Sequence, residues 1–206
     1  LIGAERQQSF LRQLGLLTPI PFEMIEASGG KPILPPKWSE LSAMTISYGH
    51  GLSATPLHLA SAYATIANGG FKVQPTLFYE PRSGEKERLI SPEVASASLA
   101  MLREVVHGEQ GTASFARLPG YAVAGKTGTA DKPNPRGGYY KDKVLATFAS
   151  VFPADNPKYV LVVTLDEPEE RSGKKPRRTA GWTAVPVASE LIARIAPLLG
   201  VRPQIE

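Results

Sequence analysis

The sequence predicts an α/β chain of the α+β type, an antiparallel sheet covered by helices. Helix signals come first, over 5–14, 55–68 and 91–108. Three runs of strand character follow, over 121–129, 144–152 and 159–166. A last helical pattern, from about 183 to 199, returns after them. With 206 residues the chain suits one large domain or two small ones, and it shows no internal repeat or linker composition.

Each element has its own warrant. In 5–14, Phe10, Leu11 and Leu14 recur at helical spacing. Residues 18–37 hold five prolines and two glycines, so they read as a long loop. Thr55 caps a helix with Pro56 in its first turn, Leu59, Tyr63 and Ile66 on one face, and Gly69-Gly70 as its stop. Ser91-Pro92-Glu93 opens another in the same manner, with Val94, Ser98, Leu102 and Val105 as its stripe and Gly108 as its end. The strands "VLATFASVF" and "YVLVVTLD" are apolar or small on both faces, so both faces of the sheet are expected to be covered. The short connection 153–158 favours an antiparallel pair. In the last helix, Val187, Leu191, Ile195 and Leu198 form the predicted stripe, and Gly200 follows it.

Composition excludes some chemistries. Zero cysteines rule out disulfides, zinc-thiolate sites and thiol catalysis. A net charge of +4 makes no case for nucleic acid. No apolar run approaches the roughly 18 residues that would span a membrane. The chain starts at Leu1 rather than methionine, so it reads as a piece of something longer, with any membrane anchor upstream.

The segment "AGKTGTA" (124–130) sets one lysine, Lys126, among six small residues. Two chemistries use such a string. The run from Gly120 to Gly125-Lys126-Thr127 fits the phosphate-binding P-loop pattern, and "VLVVTLDE" offers an apolar strand ending in acids. That site requires a helix starting at the Lys-Thr pair, whose free N–H groups face the phosphates. Pro133, Pro135, Gly137 and Gly138 prevent one. The other chemistry places Lys126-Thr127-Gly128-Thr129 on a sheet edge lining a cleft. There the lysine supplies a fixed charge, and the threonine hydroxyls donate to a substrate carboxylate. Gly128 lets a substrate backbone lie along the strand, and an N–H near Thr129 helps to hold a tetrahedral oxyanion.

Beyond this motif, "SYGHGLSATPLHLASAYATIANGG", "VVHGEQGTAS", "VAGKTGTA", "YVLVVTLDEP" and "AGWTAVPVASEL" occur in that order, after the stretch 10–36. Together they resemble the C-terminal portion of a class B penicillin-binding protein of the division-specific peptidoglycan D,D-transpeptidase type. The likeness covers nearly the whole chain. It implies a serine acyltransferase on the periplasmic face of the inner membrane, at the division septum. Its substrates would be peptidoglycan stem peptides, its inhibitors β-lactams, and its partners other division and cell-wall proteins. It implies no cofactor or metal. Lys126 and Thr129 would serve catalysis, and Lys126, Thr127, Gly128 and Thr129 would bind substrate.

One departure qualifies the likeness. The family's nucleophile lies in Ser-x-x-Lys, followed by Ser-x-Asn, and Ser-x-Asn is absent here. Ser-x-x-Lys occurs at Ser28–Lys31, Ser83–Lys86 and Ser172–Lys175, but serine and lysine share a face at that spacing only on a helix. All three sit in turn-like or charged surroundings and are read as decoys, with the true nucleophile expected upstream of residue 1. On that reading the isolated chain is inactive. If the upstream motifs were degenerate, the parent would be a non-catalytic scaffold of the division machinery.

The histidines His50, His58 and His107 are too dispersed to suggest a triad or metal site. The run "RSGKKPRR" (171–178) follows "DEPEE" and reads as a solvated, locally balanced loop, the sharper alternative being that Arg177 or Arg178 attracts anionic wall or lipid groups. Trp182 is expected to pack on the sheet rather than touch substrate.

Overall fold

The computed structural model describes residues 2–26, 30–79 and 86–204. The chain divides into two compact units, Leu1–Ala95 and Ser96–Glu206.

The first unit is helical. It holds α1 (Ala4–Gln13), α2 (Glu40–Ser47) and α3 (Pro56–Ala67), with isolated bridges Ile33–Ser53 and Phe71–Arg88 tying down its loops. Gln7 Nε2 donates to the carbonyl of Ala43 at 2.8 Å, joining α1 to α2. The expected α1 stripe is only partly covered, with Phe10 exposed and no residue of the helix fully buried. The composition of α2 gives little amphipathic pattern, and the sequence reading missed it. Its signal is local: Ser39 caps the helix by accepting the Ser42 N–H at 3.1 Å.

In α3 the cap is as expected, with Thr55 accepting from the His58 N–H and Pro56 in the first turn. The most buried face is not the Leu59–Tyr63–Ile66 stripe, whose members are half-buried, but His58, Ser61, Ala62 and Thr65. These polar groups are satisfied by loops. His58 contacts Thr55 Oγ1 at 2.6 Å and the Thr18 carbonyl at 2.9 Å, Ser61 Oγ donates to the Val73 carbonyl, and Thr65 Oγ1 accepts the Val73 N–H at 3.3 Å. Burying them fixes two loop segments on the helix, which an apolar face could not do. Large apolar side chains, including Phe10, Leu41, Met44 and Tyr48, stay in solvent in this unit.

Helix α4 (Pro92–His107) runs from one unit into the next. Its buried residues are Ala95 and Val106, whereas the expected stripe member Val94 is 53% exposed. The other stripe members, Ser98, Leu102 and Val105, are half-buried, so only the first departs from the expected face.

The second unit is built on a three-stranded antiparallel sheet in the order β1 (Ala124–Pro133), β2 (Tyr139–Phe152), β3 (Tyr159–Asp166). The antiparallel pairing and the bounds of β3 are as expected; β1 starts three residues later than expected and, like β2, extends further into the hairpin. The turn between them, 134–138, has Gly137 and Gly138 at positive φ and the Asn134 N–H donating to the Gly138 carbonyl. Lys132 steadies this end by pairing with Asp166 and Glu167, each at 2.8 Å.

Helix α5 (Ala184–Leu198) packs across β2 and β3. It does so with Ala184, Val185, Ala188, Ile192 and Ala196, which meet Ala146, Phe148, Phe152 and Val163 in the core. Of the expected stripe, Ile195 packs against the core, but Val187 and Leu191 are 40% and 38% exposed, and Leu198 is 85% exposed. Ala184, Ala188 and Ala196 let the helix lie close to the sheet, and Val185 and Ile192 fill the remaining space between them. Cover on the other face of the sheet is uneven. Ala149 and Val151 are buried there, but Leu145 and Thr164 are exposed.

Candidate functional site

Strand β1 is an edge strand, paired on one side with β2 and on the other with no described strand. Alternate N–H and C=O groups along it therefore point away from the sheet. Opposite-residue pairing fixes the faces. Thr127 and Thr129 stand across from Phe148 and Ala146, on the side where α5 packs, while Lys126 and Gly128 stand across from Ala149 and Thr147. No helix begins at Lys126, which lies inside a strand, so the phosphate-loop alternative lacks the helix N-terminus that it needs.

The lysine crosses the edge to reach the threonine side. Its Nζ donates to the Thr127 carbonyl at 2.9 Å and lies 3.5 Å from Thr127 Oγ1. Thr127 Oγ1 is in turn 2.8 Å from Thr112 Oγ1. No carboxylate of the described residues is among the recorded partners of this ammonium. One cation and two hydroxyls thus converge at the open edge. That donor set suits a carboxylate, which accepts several charge-assisted hydrogen bonds at once.

Thr129 has a second task. Its Oγ1 accepts the Ala180 N–H at 3.0 Å, tying β1 to the segment that leads into α5, while its own proton remains available to donate. The two glycines of the motif differ. A Cβ on Gly125 would lie 2.6 Å from the Ala149 carbonyl oxygen, whereas one on Gly128 would meet nothing within 4 Å. Gly125 is needed by the fold. Gly128 leaves space beside the edge that the fold does not use.

The basic segment after β3 is folded back on its own acids. Glu170 and Arg177 form a bridge through their backbones, and Arg177 reaches the Glu170 carboxylate at 2.5 Å. Glu169 takes both Arg171 and Arg178. Hydrogen bonds from Arg171 first, and Arg178 second, hold the Glu169 carboxyl below the ordinary range. Bonds from Ser172, with Arg177 adding to them, do the same for Glu170. Arg177 and Arg178 are thus spent on neighbouring carboxylates, which removes the footing of the anion-attracting alternative for those two residues. Trp182 does not pack on the sheet as expected. It is 40% exposed, with the Arg177 guanidinium 3.6 Å above its ring and Phe115 at 5.1 Å between centroids.

Of the three Ser-x-x-Lys strings, Ser172–Lys175 lies in bends, and its serine hydroxyl accepts from Arg177. Ser28 and Ser83 lie outside the described residues. His58 is buried with both ring nitrogens engaged, and His50 stacks with Tyr48. His107 lines a separate concavity with Arg103, Leu118, Gly120 and Pro203, which shares no lining residue with the Lys126 cluster. Among the described residues no group of three or more His, Asp or Glu side chains could hold a metal ion, and no helix is long and apolar enough to cross a membrane. Thr112 and Ala180 are the contributors that sequence reasoning missed. They reach β1 through tertiary closure, and no spacing in the chain announces them.

Comparison with known proteins gives a consistent result. The family described as penicillin binding protein transpeptidase domain matches residues 1–191. A protein of Caulobacter vibrioides named probable peptidoglycan D,D-transpeptidase FtsI is 35% identical over 100% of this chain and 36% of its own length. Penicillin-binding protein PbpB of Mycolicibacterium smegmatis is 36% identical over 94% of this chain and 32% of its own. The chain therefore spans about a third of the length of these curated relatives. Among solved structures, penicillin-binding protein 3 of Mycobacterium tuberculosis in complex with ampicillin superposes with a TM-score of 0.86 at 32% identity, covering 100% of this chain and 48% of that one. The transpeptidase domain of penicillin-binding protein 3 from Burkholderia pseudomallei gives 0.85 at 33% identity, over 98% of this chain and 60% of that one.

Proposed function

The chain belongs to the penicillin-binding protein transpeptidase family, class B, and on that premise we propose that it is the C-terminal portion of one transpeptidase domain whose nucleophilic serine lies upstream of residue 1. Lys126, Thr127 and Thr129 bind the terminal carboxylate of a stem peptide, and Gly128 leaves room for the peptide backbone. Lys126 and Thr129 also face the reacting centre, where the charge of the one and the backbone N–H of the other stabilise the developing oxyanion.

In the complete protein the serine oxygen attacks the carbonyl of the penultimate D-Ala. The bond to the terminal D-Ala breaks, that residue leaves as the free amine, and an ester to the enzyme remains. An amine from a neighbouring stem peptide then attacks the ester, forming the cross-link and releasing the serine. A β-lactam presents a comparable carbonyl and carboxylate and stalls at the ester. The protein acts at the division septum, on the periplasmic face of the inner membrane, among other cell-wall synthesis proteins. The apolar side chains that the first unit leaves in solvent are the kind of surface that an upstream part of the same domain would cover.

The observation that carries this reading is the convergence of Lys126 Nζ, Thr127 Oγ1 and Thr112 Oγ1 on the open edge of β1 with no carboxylate of the described residues bonded to the lysine. The test is to label the full-length parent with a fluorescent penicillin and map the adduct. Attachment to a serine of a Ser-x-x-Lys sequence upstream of residue 1 is expected. An unlabelled parent would leave the scaffold alternative standing.

A further inference from the structure

Resting on the reading of Lys126–Thr129 as a carboxylate cradle, the geometry points to Thr112 as a positioning residue that sets the direction of the Thr127 hydroxyl. Thr127 Oγ1 has two acceptor positions and one proton. Lys126 Nζ approaches it at 3.5 Å and Thr112 Oγ1 at 2.8 Å. Either hydroxyl can donate across the 2.8 Å contact, and once an anion at the open edge accepts from Thr127, Thr112 is the one that donates to Thr127. The Thr127 proton is then its one free valence, directed at whatever occupies the open edge. An anion bound there reinforces the same direction along the chain Thr112 to Thr127 to carboxylate, since each bond polarises the next. The opposite arrangement, with Thr127 donating to Thr112, would present a lone pair to the anion and repel it.

The backbone holds Thr112 in place from both sides. The N–H of the next residue, Ala113, donates to the Val105 carbonyl at 3.0 Å, and the Ala113 side chain is fully buried. On the preceding side, a Cβ at Gly111 would lie 2.4 Å from the Val105 oxygen. Across the loop, a Cβ at Gly181 would lie 2.6 Å from the Thr112 backbone carbonyl oxygen. Two glycines are thus required by close packing around one threonine, whose hydroxyl has Thr127 as its recorded partner. Gly181 follows Ala180, which bonds Thr129. The same loop contact therefore serves both threonines of the cradle.

The test uses the full-length parent and compares acylation by benzylpenicillin with acylation by its methyl ester, which lacks the carboxylate charge. Thr112→Val keeps the shape and removes the hydroxyl. It is expected to lower acylation by the acid about three- to tenfold, through weaker pre-covalent binding rather than a slower chemical step. The methyl ester should react at equal rates with parent and variant, and Thr112→Ser should restore the parent behaviour. Should Thr112→Val fail to fold, Thr112→Ala carries the same comparison with less bulk. Equal rates on the acid, or the same loss on acid and ester, would overturn the inference. Thr127→Val run in parallel separates the two levels. If it too leaves the acid unaffected, the carboxylate cradle itself is wrong. If it slows the acid while Thr112→Val does not, the cradle stands and the positioning role falls.

Discussion

Lys126 has a different meaning in each account of its surroundings, and its removal distinguishes them. It is exposed on a strand, so Lys126→Ala should change thermal stability little. In the full-length protein it removes a charge-assisted contact of about 1.5–3 kcal/mol, or roughly ten- to a hundredfold in β-lactam acylation rate. Equal rates for variant and parent would make it a merely solvated lysine. The two glycines of the motif give a paired prediction. Gly125→Ala forces a methyl group against the Ala149 backbone oxygen and should destabilise by about 1–3 kcal/mol in thermal melts. Gly128→Ala meets nothing in the fold and should melt like the parent while slowing acylation. A parental rate for Gly128→Ala would show that no substrate backbone passes there. The Lys126 motif was legible because a lysine among six small residues has no structural use. Thr112 was not, because its relation to Thr127 is made by a loop closing over the strand edge, and fifteen residues separate them with no periodicity.

At the scale of elements, helix ends were more legible than helix faces. Caps and stops are local chemistry, and Thr55-Pro56 and Gly108 marked the ends that the structure shows. Burial is decided by the partner surface. On α5 three of the five residues that meet the sheet are alanines, so a count of large apolar residues misses most of that face. Ala188→Leu should therefore destabilise by about 1–3 kcal/mol through overpacking. Leu191→Ala, at a 38% exposed site, should cost less than about 1 kcal/mol. Calorimetry on both variants checks the order, and the reverse order would return the predicted stripe to the core. The segment 169–178 carries a pH prediction. Glu169 and Glu170 are both held below the ordinary glutamate value, the first mainly by Arg171 and the second mainly by Ser172. Their stabilising contribution is complete above the ordinary value and is lost as the pH falls through the lowered ones. Acid should therefore release Arg177 from Glu170 and alter its contact with Trp182. Trp182 emission, followed with Trp38 replaced by Phe, should change over that range. Glu170→Gln should show the acid-like emission already at neutral pH, and an unchanged spectrum would mean that the arginine stacks without its carboxylate.

At the scale of the molecule, the proposed reading makes this chain one wall of an active site, and it spans about a third of the length of its curated relatives. Intact-mass spectrometry of the isolated chain after penicillin treatment should find no adduct, because acylation requires an activated serine and this chain supplies no helical Ser-x-x-Lys among its described residues. An adduct mapped to Ser28, Ser83 or Ser172 would place the nucleophile in this chain and end the account of it as half a site. The antiparallel sheet was legible at this scale because strand character and short connections are both written locally. The division into two units was not, since α4 passes from one to the other without a break in composition. The open edge of β1 also bears on solubility. A strand that leaves backbone groups free for a substrate leaves them equally free for the same strand of another molecule, which is how sheets nucleate aggregates. Lys126 and Asp131 put charges along that edge, and two strands brought together in parallel register would set like charges against each other. On the proposed reading, the lysine that receives a small anion also repels a second copy of its own strand, so catalysis and colloidal stability would press on the same position.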